Sequence, residues 1–166
     1  MEPMAAGSPR RKDEKMKTIL SALLIGLLML AAFAAPPPNF SATWVFNREK
    51  SKNLGMMPPM KMTQTIEQSA SSFDVTLDTT FLGNHHQTKT HYDLSGKTVQ
   101  NDSAMAGPSD TVSQWQGDKL VTTWTGKNDP KSVRTETRWL SPDGKTMTVE
   151  SVRGANPPAV MVFDRQ

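Results

Sequence analysis

The chain has 166 residues, a formal net charge of +3 and no cysteine. Without cysteine it forms neither a disulfide nor a zinc–thiolate site, and it lacks the nucleophile of thiol enzymes. Five of the 19 basic and three of the 16 acidic residues lie in the first 35 positions, so residues 36–166 carry 14 basic and 13 acidic side chains. No basic cluster remains there to contact a phosphate backbone, and we expect no nucleic-acid partner.

Residues 1–35 have the order of a secretory signal peptide. A basic stretch from Arg10 to Lys17 precedes an apolar stretch, and small residues follow up to Ala35. We place cleavage after Ala34 or Ala35, and Met16 is an alternative start to Met1. The apolar stretch has about 16 residues, fewer than the roughly 20 that cross a bilayer, which favours cleavage over a retained anchor. We therefore expect export to the periplasm or the extracellular space, with membrane contact only through the leader.

Residues 36–166 are enough for one domain, and their pattern predicts strands throughout. Apolar residues alternate with polar ones, threonine is abundant, and turn signals recur at short intervals, as at Gly117 and at Pro142–Gly144. The predicted strands are residues 40–46, 60–66, 73–78, 88–94, 97–103, 111–115, 120–125, 133–140, 146–152 and 160–163. We predict an all-β antiparallel up-and-down meander of about 8–10 strands closed into a barrel, with a β-sandwich as the alternative.

Three segments carry a resemblance to a known group of proteins. They are Phe-Ser-Ala-Thr-Trp at 40–44 with Asn-Arg-Glu-Lys-Ser-Lys at 47–52, Trp-Gln-Gly-Asp-Lys-Leu-Val at 115–121, and Arg-Trp-Leu-Ser-Pro-Asp-Gly-Lys-Thr-Met-Thr-Val at 138–149. They resemble small exported bacterial lipocalin-like proteins and, more distantly, the calycin group of lipocalins and fatty-acid-binding proteins. The resemblance covers most of residues 40–163 and implies a barrel around a cavity for a small, largely apolar molecule.

The resemblance also implies a role for the first tryptophan. Calycins carry Gly-x-Trp at the start of the first strand, where Trp44 would be that tryptophan and Ala42 stands in place of the glycine. In lipocalins this ring packs under a basic side chain from a late strand and closes one end of the barrel. Arg138 and Arg165 are both candidates for that basic side chain.

Candidate ligand-binding residues come from three features. Trp115, Trp124 and Trp139 lie in separate predicted strands, and each could fill the core or line a cavity. Arg134 and Arg138 share one face of a strand with Glu136, and we favour the interpretation that this face points outwards as a solvated charge stripe. If it points inwards, it would resemble the buried basic group that holds a carboxylate in fatty-acid-binding proteins. Met56 and Met57 lie in a Pro/Gly/Met loop that would flap over the barrel mouth or cap the core.

Catalytic and metal chemistry are not favoured. His85, His86 and His91 lie close in sequence but without a matching ligand triplet, so solvated histidines are expected instead of a metal site. No nucleophile elbow is present, and the acidic residues on strands, such as Asp74 and Asp78, mark solvated faces. We predict a monomer without catalytic residues or cofactor that binds a small apolar or amphipathic ligand. The alternatives are a cell-envelope structural or interaction protein acting through its outer surface, and a small hydrolase or isomerase.

Overall fold

Ten antiparallel strands follow one another along the chain. The structure is a computed structural model, and it describes residues 36–55, 61–103 and 107–166. The leader and the methionines Met56 and Met57 lie outside the described residues. The strands are β1 (Ala42–Lys52), β2 (Lys61–Gln68), β3 (Ser72–Phe81), β4 (Asn84–Asp93), β5 (Val99–Ser103), β6 (Gly107–Gln116), β7 (Lys119–Gly126), β8 (Val133–Leu140), β9 (Thr146–Arg153) and β10 (Ala159–Arg165).

The strands form one sheet in the order β4-β3-β2-β1-β10-β9-β8-β7-β6-β5. The first strand pairs with the last, as in the pairs Phe46–Phe163 and Trp44–Arg165, and the other neighbours are consecutive in the chain. The predicted meander closed into a nearly complete barrel is therefore confirmed. In the part of the chain that the structure describes, no helix is long and apolar enough to cross a membrane.

A gap in the backbone ladder lies between β4 and β5, and one side chain bridges it. The His91 N–H donates to Asn101 Oδ1 at 3.2 Å, and Asn101 Nδ2 donates to the His91 carbonyl at 2.8 Å. The same Nδ2 group donates to Thr111 Oγ1 on β6 at 2.8 Å. A carboxamide offers a donor and an acceptor side by side, as a peptide group does. The Asn101 side chain therefore makes the two hydrogen bonds to the His91 backbone that a paired strand would otherwise make.

One end of the barrel is filled by aromatic and aliphatic side chains. We call it the closed end; it holds the N-terminal segment 36–41 and the turns after β2, β4, β6 and β8. Phe40, Trp44, Phe73, Leu120 and Phe163 are fully buried there. The alternating apolar residues predicted for the strands produce this packing, since every second side chain points inwards.

The Trp44 ring is held at the closed end from two directions. Its Nε1 donates to the Phe40 carbonyl at 2.8 Å, and the Arg165 guanidinium carbon lies 5.1 Å from the ring centroid. Of the two basic side chains that the sequence left open, Arg165 on the last strand is thus the one that stacks on Trp44. Arg138 lies elsewhere in the interior.

The opposite end, with the turns after β1, β3, β5, β7 and β9, is the open end. Interior side chains near it, such as Phe46, Leu77 and Met161, pack against the core but stay only partly buried. The candidate site lies in this half of the barrel.

Candidate ligand-binding site

The charged residues of β8 point into the barrel. Glu136 is only 7% exposed and Arg138 only 5%. The solvated charge stripe that the sequence favoured is therefore wrong. The reason lies in the neighbouring strands: Arg138 pairs in register with Leu120 on β7 and with Val149 on β9, and both of these are buried. The apolar faces of β7 and β9 thus set the orientation of a strand whose own inward face is polar.

Arg138 crosses the interior to the opposite wall. Its Nη1 donates to Gln64 Oε1 on β2 at 3.3 Å, and its Nη2 donates to Glu136 Oε2 at 3.1 Å. The guanidinium carbon lies 5.7 Å from the ring centroids of both Phe73 and Tyr92. We call Arg138, Glu136, Gln64 and Tyr92 the Arg138 layer. It links β8 to β2 and β4 across the barrel interior.

The Arg138 layer is held in a definite charge state. Burial alone would raise the pKa of Glu136, but the guanidinium groups of Arg138 and Arg134 outweigh it and lower that pKa below its ordinary value. Burial opposes the charge on Arg138, yet its neighbours Tyr92 and Glu136 raise its pKa. Burial raises the pKa of the Tyr92 hydroxyl, which stays protonated. The layer therefore contains a carboxylate, a guanidinium and a neutral phenol.

Arg134 and Trp124 lie above this layer, towards the open end. The Arg134 guanidinium carbon is 4.5 Å from the Trp124 ring centroid, and its Nη2 is 3.5 Å from Glu136 Oε1. The Trp124 indole also helps to lower the pKa of Glu136. Nevertheless, Trp124 Nε1 and Arg134 Nε are buried and find no partner in hydrogen-bond geometry among the described residues.

The other side of the open half is apolar. Phe46, Leu77 and Met161 are partly buried, and Met62 is 7% exposed. On β1 and β3, Phe46 lies two residues beyond Trp44 and Leu77 lies four residues beyond Phe73, in the direction of the open end. On β2 and β10, which run the opposite way, Met62 precedes Gln64 and Met161 precedes Phe163 by two residues. The open half therefore has an apolar wall from β1, β2, β3 and β10. Its cationic wall comes from β8 and β9, where Arg134 pairs in register with Arg153.

Two of the candidate tryptophans lie away from the open half. Trp139 is next to Arg138 in sequence, so alternation places it on the outer face, where Lys119 Nζ lies 4.8 Å from its ring centroid. The expectation that Trp139 lies inside the barrel is therefore wrong. Trp115 points inwards at the closed end, with its ring centroid 6.1 Å from that of Phe40. Only Trp124 of the three lies beside the charged interior.

The histidines lie on the outside of β4. His91 Nδ1 is 2.6 Å from Asp74 Oδ1, and His85 Nε2 is 3.1 Å from Asp78 Oδ1, with all four side chains partly or largely exposed. The His91–Asp74 pair borders a surface groove of about 420 Å³. Within the described ranges, no three histidine or acidic side chains come together as a metal site would require. Exposed pairs of this kind contribute little to stability because water screens them.

Comparison with known proteins agrees with the fold. No protein-family model matches the chain, and no curated protein sequence matches it. Among solved structures, human cRBP IV, a cellular retinol-binding protein, is similar with a TM-score of 0.60 and 20% identity, over 78% of this chain and all of that one. The REP1-NXSQ fatty acid transporter is similar with a TM-score of 0.61 and 13% identity, over 76% of this chain and 95% of that one. The fold is lipocalin-like.

Sequence reasoning missed three residues that organise the interior. Gln64 was on the predicted inward face of β2 between Met62 and Ile66, so a polar residue inside an apolar alternation was the available signal. Tyr92 gave a similar signal, because it stands between the polar residues His91 and Asp93 on β4. Asn101 gave none, since its role depends on where β4 and β5 separate.

Proposed function

We propose that this domain binds a small amphipathic molecule in the open half of the barrel. The apolar part of the ligand lies against Phe46, Leu77 and Met161, and its polar part points towards Arg134. The observation that carries the proposal is the Arg138 layer, in which a guanidinium and a carboxylate are buried together inside the barrel. Towards the open end from it, Phe46, Leu77 and Met161 pack against the core and stay partly buried. Binding sites commonly combine such apolar walls with a few polar groups.

The energetic character of the interior supports a binding role. A buried ion pair contributes little net stability compared with apolar side chains of similar volume, because both charges lose their hydration. Glu136, Arg138 and the buried Nε atom of Arg134 are therefore poorly explained as stabilising groups. The names of the similar structures, a retinol-binding protein and a fatty acid transporter, agree with a ligand that has a long apolar part.

We propose that binding occurs without catalysis. A general acid or base works best with a pKa near the operating pH. The guanidinium groups of Arg138 and Arg134 instead lower the pKa of Glu136, and burial raises the pKa of Tyr92. Neither group is therefore suited to proton transfer near neutrality. The ligand is expected to leave chemically unchanged, which mass spectrometry of the recovered ligand tests.

Export of the domain is a further part of the proposal. It is supported by the order of basic, apolar and small residues before Pro36. Mass spectrometry of the protein recovered from an expressing cell is expected to give an N-terminus close to Pro36. Recovery of the intact N-terminus from the membrane fraction would instead show a retained anchor.

A ligand titration tests the proposed site. Trp124 fluorescence is expected to change on addition of fatty acids, retinoids or haem, because this ring borders the open half. The Leu77→Gln and Met161→Gln variants should bind about tenfold more weakly, since each places an amide on the apolar wall. Val112→Gln, on the outer face of β6, is the matched control and should bind as the unmodified protein does. If no compound of the panel binds, or if the control and wall variants lose affinity equally, the proposal fails.

A further inference from the structure

Two outer faces of the sheet differ in charge. On β3 and β4 the outward side chains include two ionisable pairs, Asp74 with His91 and Asp78 with His85. On β6 to β9 the outward side chains form uncharged rows instead. Val112, Thr123, Thr135 and Val152 pair in register across the four strands, and Val121 pairs with Thr137 in the next row. We call these six β-branched residues the β6–β9 face.

The β6–β9 face points away from the barrel interior. Its residues alternate along their strands with buried ones, such as Thr122 on β7 and Glu136 on β8, and each of the six stays partly exposed. Trp139 continues the face along β8 towards the closed end, and its side chain is also partly exposed. Depletion of charge together with enrichment in aromatic residues characterises the centres of protein interfaces. The face is therefore suited to contact with another protein surface.

The charges at the border of this face indicate which surface it fits. Lys119 on β7 and Glu150 on β9 lie on opposite sides of β8, and neither forms an ion pair within the described ranges. A two-fold axis along β8 would exchange the positions of β7 and β9 between two copies. Lys119 lies beside Trp139, which pairs with Thr148, two positions from Glu150. Each Lys119 would then be about 7 Å along the strand from the partner's Glu150, a distance that a lysine side chain spans.

The size of the face predicts a weak association. Four strands spaced about 4.8 Å apart and about seven residues along each strand give an area of roughly 450 Å². Stable complexes bury about 800 Å² on each partner, and weak ones less than about 600 Å². The outside of a barrel is also convex, so contact is closest along β8. We therefore expect a dissociation constant in the micromolar range.

We infer that the β6–β9 face packs against the same face of a second copy about a two-fold axis along β8. The product is a concentration-dependent dimer, in place of the monomer expected from the sequence. Thr135, Thr137 and Trp139 lie on the axis, so each meets the same residue of the partner. Because the axis runs along the strands, both open ends point in the same direction. Dimer formation does not depend on ligand binding in the open half.

Sedimentation velocity over about 5–500 µM protein tests the dimer. The unmodified protein should change from monomer to dimer in this range, and the indole N–H resonance of Trp139 should move with concentration while that of Trp124 stays in place. Thr137→Lys should weaken association at least tenfold, because two like charges then face each other on the axis. Thr65→Lys, at a partly exposed position on the outer face of β2, is the matched control and should associate as the unmodified protein does.

Charge reversal at the border tests the position of the axis. Lys119→Glu and Glu150→Lys should each weaken association about threefold, and the double variant should restore it, because the facing charges are again opposite. Cooperative urea unfolding of each variant shows that it is folded. A protein that stays monomeric throughout the concentration range would overturn the proposal. So would equal weakening by Thr137→Lys and Thr65→Lys, or a double variant that associates no more tightly than the single ones.

Discussion

At the scale of single residues, Glu136 determines the charge balance of the interior. Its carboxylate accepts from Arg138 and lies near Arg134, so it compensates two guanidinium groups at once. Removing one partner of a buried pair leaves the other charge without hydration or compensation. The stability of the barrel should therefore depend strongly on this one side chain.

The Glu136→Gln variant is expected to unfold more easily than the unmodified protein, by about 3 kcal/mol. Urea denaturation at neutral pH measures this difference. The matched control is Asp110→Asn, which breaks the exposed pair with Lys127 and should cost less than about 1 kcal/mol. Equal, small losses for the two variants would show that the Arg138 layer does not depend on the carboxylate.

The low pKa of Glu136 predicts how this difference varies with pH. Because the folded pKa is below the ordinary value of 4.5, the carboxylate stabilises the fold above that value, and the contribution is lost as the pH falls through the folded pKa. The free energy gap between the unmodified protein and Glu136→Gln should thus be constant near neutrality and narrow below about pH 4.5. A gap that widens in acid would show that the pKa is raised instead.

At the scale of elements, the strands followed from alternation alone, but the orientation of β8 did not. On β3, the alternating apolar residues Phe73 and Val75 identify the buried face, and on β9 Met147 and Val149 do the same. On β8 the inward residues are Arg134, Glu136 and Arg138, so its own pattern indicates the wrong face and only the buried partners on β7 and β9 correct it. The candidate site is therefore the part of the molecule that local sequence patterns describe worst.

The bridge between β4 and β5 gives a prediction for one strand edge. Asn101→Leu keeps a similar volume but removes the amide that bonds to His91 and Thr111. The His91 amide should exchange with solvent much faster, and the fold should lose about 1–3 kcal/mol. Hydrogen exchange followed by NMR measures the first effect.

Gln100→Leu, one residue away and exposed, is the matched control for this bridge, because its side chain points to the other face of β5. It should leave the exchange of the His91 amide unchanged. An Asn101→Leu variant with normal protection at His91 would show that β4 and β5 are held together by other contacts.

At the scale of the whole molecule, the closed end of the barrel is packed with fully buried side chains, whereas the interior side chains near the open end stay partly exposed. The closed end, from Phe40 to Phe163, has the dense aromatic packing of a core, and its closure through Trp44 and Arg165 joins the two chain ends of the domain. The meander, the strand number and the role of Trp44 as an inward residue follow from sequence. The Arg138 layer does not, because it depends on a contact between Arg138 and Gln64, which are 74 positions apart.

The most direct test of the account is to locate a bound ligand by NMR, using labelled methyl and indole groups and dodecanoate as the probe. The account predicts that the resonances of Leu77, Met161 and Trp124 move on binding, while those of Met147 and Trp115 at the closed end stay in place. Shifts centred on Met147 and Trp115, or on Trp139 at the outer face, would contradict it, as would the absence of any shift with both dodecanoate and retinol.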